Sequence, residues 1–442
     1  MVKRSFILSL LIPVLLFIGC DKKSDRPDFN QLGREYVKLG LIIGQYDPDF
    51  VDAYYGPDSL KPANDVNTAE FPREELLNRT ASLKDKIEKI PQENLNDTLK
   101  MRAQWMLRQL KAFERRIRIF AGDKATFDEE AADLFATEPP IYPEEHYRSL
   151  VNSLDSILPG RGSVVERYQA LFEKFNIPPS KVDTVFKAAL AEARRITQER
   201  FDLPGSESFT IEYVRDKAWN GYNWYQGNYT SLIQINVDHP INIARAIDLA
   251  CHEGYPGHHV YNVLLEKNLY RDKGWVEISM YPLFSPQSLI AEGSANYGIE
   301  MAFPEKKFKQ FTKEVLLPLA GLDTSNFEQY YKASILRKKL NFARNEIARG
   351  IINGTMTPDE ITRWQVEYQF VPKERVASSL KFIEKYRSYV ICYNHGEALV
   401  EQYVKANTTA GHSDQRWKTF EWLLSNPVSP PDLGEAPVAG SR

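Results

Sequence analysis

The sequence predicts a mainly α protein with one small β-sheet beside a histidine-bearing helix. Three observations carry that prediction. Apolar residues recur at steps of three and four along several stretches, which is the period of a helix buried on one face. One segment alone, Phe209 to Val237, turns rich in aromatic and β-branched residues with Gly and Asn, the composition of strands and turns. The 442 residues are 43% hydrophobic and 26% charged, enough apolar material for the large core that stacked helices need.

Taken in order, the chain opens on Lys3 and Arg4 ahead of an apolar run from Phe6 to Ile18. That run is too short to span a bilayer and reads as a signal peptide over residues 1–20. It closes on Phe17-Ile18-Gly19-Cys20 and is followed by polar Asp21-Lys22-Lys23-Ser24-Asp25. The ending resembles the lipobox of bacterial lipoproteins, which implies a lipid on Cys20, a polar tether over 21–30, and attachment to the outside of the cytoplasmic membrane. Ordinary signal cleavage nearby is the plainer alternative.

Residues 31–205 then read as a helical region. Met106, Leu110, Phe113, Ile117 and Phe120 form one stripe, and Val182, Val185, Ala189, Ala193 and Ile196 form another. Breakers divide the region at Pro139-Pro140, at Leu158-Pro159-Gly160-Arg161-Gly162 and at Pro178-Pro179. A second region, 206–426, holds the strand-like segment, in which Ser231 to Asn236 is the best strand. An edge strand there could pair with an extended peptide; a small structural sheet is the plainer reading. Leu336, Leu340, Ala343, Ile347 and Ile351 make a third helical stripe. The stretch 427–442, rich in Pro, Gly and Ala, reads as a loose tail.

Charge excludes some partners. The 56 basic and 59 acidic residues leave a formal net charge of -3, which calls for neither nucleic acid nor an anionic membrane surface. No Gly-x-Ser-x-Gly elbow and no phosphate-binding glycine loop occurs. Of the cysteines, Cys251 and Cys392 could pair in an oxidising compartment, or stand as buried free thiols; a cysteine nucleophile is a third option.

The informative stretch is Cys251-His252-Glu253-Gly254-Tyr255-Pro256-Gly257-His258-His259, with three of the seven histidines. Asp238-His239-Pro240 reads as the start of the helix that leads into it. In a regular helix His258 would lie roughly 240° around the axis from His252, and His259 about 10 Å along it. Neither could then share a zinc ion with His252, because the bonds are only about 2.0–2.1 Å long. Pro256 removes a helical N–H and crowds the carbonyl four residues back, and Gly257 tolerates unusual backbone angles. A bulge that loops out two residues puts His258 where the second histidine of His-Glu-x-x-His sits; three residues would put His259 there. Glu253 would then face a metal-bound water as general base. Glu292, inside Ala291-Glu292-Gly293-Ser294-Ala295-Asn296-Tyr297, is the candidate third ligand, since small neighbours let its helix pack close. Two histidines, one carboxylate and one water make a catalytic zinc site. Hydrogen-bonded core histidines are the competing reading, and His239, His146 and His412 look isolated.

With those residues in view, His252 to His259 resembles the His-Glu-x-x-Pro-Gly-His-His signature of the bacterial domain-of-unknown-function 885 family. Val51-Asp52-Ala53-Tyr54-Tyr55-Gly56-Pro57, Leu158 to Ser163, Glu292-Gly293 with Ala295 and Tyr297, and Tyr393-Asn394-His395-Gly396 resemble further family segments. Ser294 stands where members carry Trp, and Ile299 where many carry Glu. That family is similar to the helical glutamate-type zinc peptidases related to thimet oligopeptidase and the thermostable carboxypeptidases. The resemblance implies an elongated multi-helix fold with a central cleft. It implies zinc on His252, His258 and Glu292, with His259 outside the ligand set, Glu253 as base, and Tyr393, or less readily His395, donating to the oxyanion. The expected activity is peptide hydrolysis at the envelope. The alternative from a different class is a peptide-binding lipoprotein on the same scaffold with a structural metal or none.

Overall fold

The computed structural model describes residues 28–63, 70–217, 219–409 and 411–434. The expected signal peptide, Cys20 with its expected lipid, and residues 21–27 of the expected tether lie outside them, as do residues 435–442. The first described helix, Phe29–Tyr46, starts at once: Asp28 caps it by accepting from the Asn30 and Gln31 amides.

The architecture is mainly helical with two small sheets. The predicted stripes are packing faces. Met106, Leu110, Phe113 and Ile117 are fully buried in the Asp97–Phe120 helix, whereas Phe120, its last residue, is 41% exposed and stacks edge-on against Phe71. Val185, Ala189, Ala193 and Ile196 are buried in the Val182–Gln198 helix. The third stripe crosses two helices, Phe327–Lys339 and Ala343–Asn353, joined by a 3₁₀ turn; Leu340, Ala343 and Ile347 still share the core. The three breaker clusters fall between helices, and Ser163 closes the second with a reciprocal capping box to Glu166.

The strand content differs from expectation in two ways. Among the described residues there are two sheets. β1 (Val51–Tyr54) pairs antiparallel with β5 (Met280–Pro282), and β2 (Ser208–Val214), β3 (Gly221–Gly227) and β4 (Thr230–Asn236) form the other in the order β2-β4-β3. The predicted strand, β4, is also central. Its backbone is occupied on both sides, parallel to β2 and antiparallel to β3, so it has no free edge for a peptide. Its alternate residues Ser231, Ile233 and Ile235 face the core, which explains why its pattern was the most legible.

Two further expectations are corrected. The helix before the histidines begins at Ile243, capped by Asn242, and not at Asp238; the Asp238 carboxylate instead accepts from the Asp216 amide. The tail is not loose from Pro427. Val428, Ser429 and Leu433 are buried, and Ser429 and Asp432 cap a short 3₁₀ turn. Among the described residues, no helix is long and apolar enough to cross a membrane.

One contact sets the geometry of the site. The Pro286–Ala302 and Ile391–Ala406 helices touch backbone to backbone where Gly293 meets Gly396: a Cβ on Gly293 would lie 2.4 Å from the Gly396 carbonyl carbon. Gly293→Ala is therefore expected to cost about 1–3 kcal/mol of stability in urea denaturation, as overpacking does. Gly205→Ala, whose added methyl meets nothing within 4 Å, should stay within about 0.5 kcal/mol of the parent.

Candidate metal centre

The Ile243–Leu249 helix runs into a wider π turn, Ala250–Gly254, closed by the Tyr255 amide donating to the Ala250 carbonyl at 3.1 Å. A cis Tyr255–Pro256 peptide follows. The Gly257 amide then reaches back to the Cys251 carbonyl at 2.9 Å. A Cβ at Gly257 would lie 2.0 Å from the His252 oxygen, so no other residue fits this close approach. His258 opens a new helix, His258–Leu265.

This break brings together side chains that a continuous helix would hold apart. His252 Nε2 and His258 Nε2 are 3.1 Å apart, their rings nearly perpendicular. Glu292 Oε2 lies 3.2 Å from the first nitrogen and 3.7 Å from the second. Ligands held tetrahedrally at zinc bond lengths are spaced about 3.3–3.4 Å from one another. The three measured separations bracket that value. Among the described residues, these three are the His, Cys, Asp or Glu side chains whose ligand atoms converge in this way.

The surrounding hydrogen bonds aim lone pairs at the common point. The Asn296 amide nitrogen donates to the Tyr393 carbonyl at 2.7 Å, and a carbonyl only accepts. Asn296 Oδ1 therefore faces His252 Nδ1, at 3.0 Å, and accepts its hydrogen bond, which leaves Nε2 as the ring nitrogen turned to Glu292. Tyr389 donates to Glu292 Oε1 at 2.8 Å. The other oxygen, Glu292 Oε2, is buried with no donor in hydrogen-bonding geometry. A buried carboxylate oxygen facing two imidazole nitrogens fits a shared positive charge, either a bound ion or the proton of an imidazolium. The donor set suits zinc.

Without an ion the three side chains offset one another's charge. Burial opposes charge on His252, yet Glu292 and Glu253 outweigh it and raise the imidazole to about 9. Burial likewise opposes charge on Glu292, but the two histidines hold its carboxyl well below the usual range. Glu253 is pushed up, mainly by burial, and feels the charges of His252, His258 and Glu292. Its carboxylate lies against β3, where only the missing side chain of Gly221 leaves it room.

The remaining candidates separate. His259 is fully buried and turned away: its ring nitrogens meet Ser231 Oγ at 2.8 Å and Glu207 Oε2 at 2.9 Å. Glu207 also accepts from Tyr255 and Arg194. Tyr393 stands beside Tyr389, ring centroids 5.7 Å apart, and burial keeps its hydroxyl protonated. His395 meets Thr137 Oγ1 at 2.9 Å, and burial lowers it to about 4. Cys251 and Cys392 are free and buried, and burial raises both thiols, against a nucleophilic role.

Sequence reasoning missed Asn296 and Tyr389. Asn296 lies one helical turn after Glu292, and Tyr389 one turn before Tyr393, so spacing alone could have flagged them. It also gave no role to Asp52, whose carboxylate accepts from Tyr222 at 2.9 Å and feels the charges of His258 and Glu292.

No family model matches the chain, and no curated protein matches it. A crystal structure of a protein described as a lipoprotein, from Colwellia psychrerythraea, shares its fold. The two are 14% identical with a TM-score of 0.53, and the match covers 83% of this chain and 66%, just under two thirds, of that one. At that identity the likeness concerns the arrangement of helices and strands and not the chemistry.

Protonation of the metal-free cluster has a definite sign. His252, raised above 6.5, contributes stability that is complete below pH 6.5 and lost as pH rises through about 9. Glu292, lowered from 4.5, contributes stability present above pH 4.5 and lost in acid. Chelator-treated protein should therefore lose thermal stability between pH 7 and 9.5, and His252→Gln should flatten that slope. With zinc the trend reverses, because zinc competes with the proton. Tyr389→Phe should weaken zinc binding by about 10–100-fold in a chelator competition.

Proposed function

We propose that the chain is a zinc-dependent hydrolase of the bacterial envelope that cleaves peptides, anchored by lipid on Cys20. The observation that supports it is the convergence of His252, His258 and Glu292 at the spacing of a tetrahedral ligand shell. The likeness of the signature to the glutamate-type zinc peptidases and the fold shared with a protein described as a lipoprotein agree with it.

His252 and His258 would bind the ion through Nε2 and Glu292 through Oε2. Bound there, zinc polarises a carbonyl and acidifies water. Glu253 is the base. Burial makes its carboxylate a stronger proton acceptor than an exposed one, and the charges of His252, His258 and Glu292 reach it, which supports this role. It accepts the proton of the attacking water and passes it to the departing amine. Tyr393, kept protonated by burial, donates to the oxygen of the attacked carbonyl. Asn296 and Tyr389 orient the ligands.

Glu253→Gln should keep about one zinc per chain by elemental analysis while peptide turnover falls by ~100-fold or more. His252→Ala and His258→Ala should each lose the zinc. A wild-type protein that takes up no zinc would overturn this reading and favour a peptide-binding lipoprotein.

A further inference from the structure

Arg387 stands in a backbone conformation that arginine rarely adopts. It ends the Val376–Tyr386 helix at φ 53° and ψ -126°, a region that glycine enters freely and L side chains enter at a cost. Strain of this kind persists only where the surroundings hold it, and it clusters at functional sites. What holds it here is Glu130, fully buried in the Phe127–Leu134 helix. Arg387 Nε donates to Glu130 Oε1 at 2.9 Å and to Oε2 at 3.1 Å, and Nη2 adds a further bond to Oε1. The hydroxyl of Ser388, the next residue, donates to Oε2 at 3.3 Å. A buried carboxylate is costly unless it is matched, and the strained turn is what matches this one.

The turn leads straight to the candidate metal centre. Two residues on, Tyr389 donates to Glu292 Oε1 at 2.8 Å. The stretch of chain that carries Glu130 grips the same segment twice more. Phe135 lies edge-on to Tyr389, ring centroids 6.0 Å apart, and Thr137 Oγ1 meets His395 Nε2 at 2.9 Å. Tyr389 is thus anchored on both sides in the chain, while its hydroxyl reaches a proposed ligand.

We infer that Arg387 is a positioning residue of the metal centre: its hold on Glu130 keeps the strained turn that delivers the Tyr389 hydroxyl to Glu292. The inference rests on the metal reading for its purpose, and on the turn alone for its geometry. A clamp that only stabilised the fold would not need an arginine in this conformation, since glycine at 387 and an uncharged residue at 130 could make the turn with neither strain nor buried charge. The Arg387 side chain is spent on Glu130 and not on a ligand, so its effect must pass through Tyr389.

The test reads zinc affinity by chelator competition, and the surroundings of Tyr389 without metal. Glu130→Gln keeps the shape and removes the charge that Arg387 grips. It is expected to weaken zinc binding by ~10-fold, the lower end for a residue that supports a ligand. In a Tyr389→Phe background the same substitution should weaken binding by less than about twofold, because an effect carried by the hydroxyl is already lost. Glu130→Gln combined with Arg387→Gly takes its place if the single variant does not fold, since it removes the buried charge and the strain together. In metal-free protein carrying fluorotyrosine at position 389, the fluorine resonance of the Glu130→Gln form should move toward its position in Glu292→Ala. Parent-level zinc affinity, equal weakening in both backgrounds, or an unmoved resonance overturns the positioning role. A wild type that takes up no zinc overturns the metal reading instead, and the resonance alone then decides the role of Arg387.

Discussion

The whole site depends on one backbone constraint: the chain must turn back on itself between Gly254 and His258. The π turn widens the helix, and Gly257 slides under the Cys251 and His252 carbonyls where a side chain cannot go. This contact converts a sequence separation of six, useless on a regular helix, into two imidazole nitrogens 3.1 Å apart. The free backbone groups are still satisfied, since the Tyr255 and Gly257 amides find carbonyls within the turn.

A second helix pair completes what the turn begins. Gly293 against Gly396 lets two helices approach closer than side chains allow, and the functional groups flank that contact. Glu292 precedes Gly293, and Asn296 follows it by one turn. Tyr389 and Tyr393 approach from the other helix and the turn before it. Asn296 ties the two together, since it holds the His252 ring with one atom and the Tyr393 carbonyl with the other. A shift of either helix would thus move a candidate ligand and its support at the same time.

Much of this was legible in the sequence, for physical reasons. Helical stripes such as Met106 to Ile117 repeat a simple period, and Pro-Gly next to histidines signals a broken helix with its ligands displaced. What was hidden depends on tertiary pairing. That β4 is central and not an edge follows from β2 and β3 on both sides, and no local pattern encodes its neighbours. β1 and β5 are short and far apart in the chain, so neither carries a strand signal of its own. The doublet by itself left His258 and His259 open, and only the family resemblance pointed to His258. The structure turns His259 away toward Glu207 and Ser231, which lie outside the motif. The start of the helix at Asn242 was lost to a stronger decoy, Asp238 before Pro240.

The two histidines of the doublet therefore have opposite tasks, and each needs the other. His258 faces Glu292, where both groups are buried and a charge is costly unless it is matched. His259, next in the chain, points the other way into a closed network. Its Glu207 partner is held at about 2, because hydrogen bonds from His259, Tyr255 and Arg194 outweigh its burial. That network ties the first turn of the His258–Leu265 helix to β4 through Ser231 and to the Val182–Gln198 helix through Arg194. A helix start that was free to rotate would carry His258 off its partners, since a small rotation at the backbone is magnified at the ring tip. The fully hydrogen-bonded side of the turn supplies the rigidity, and the other side carries the candidate metal ligands.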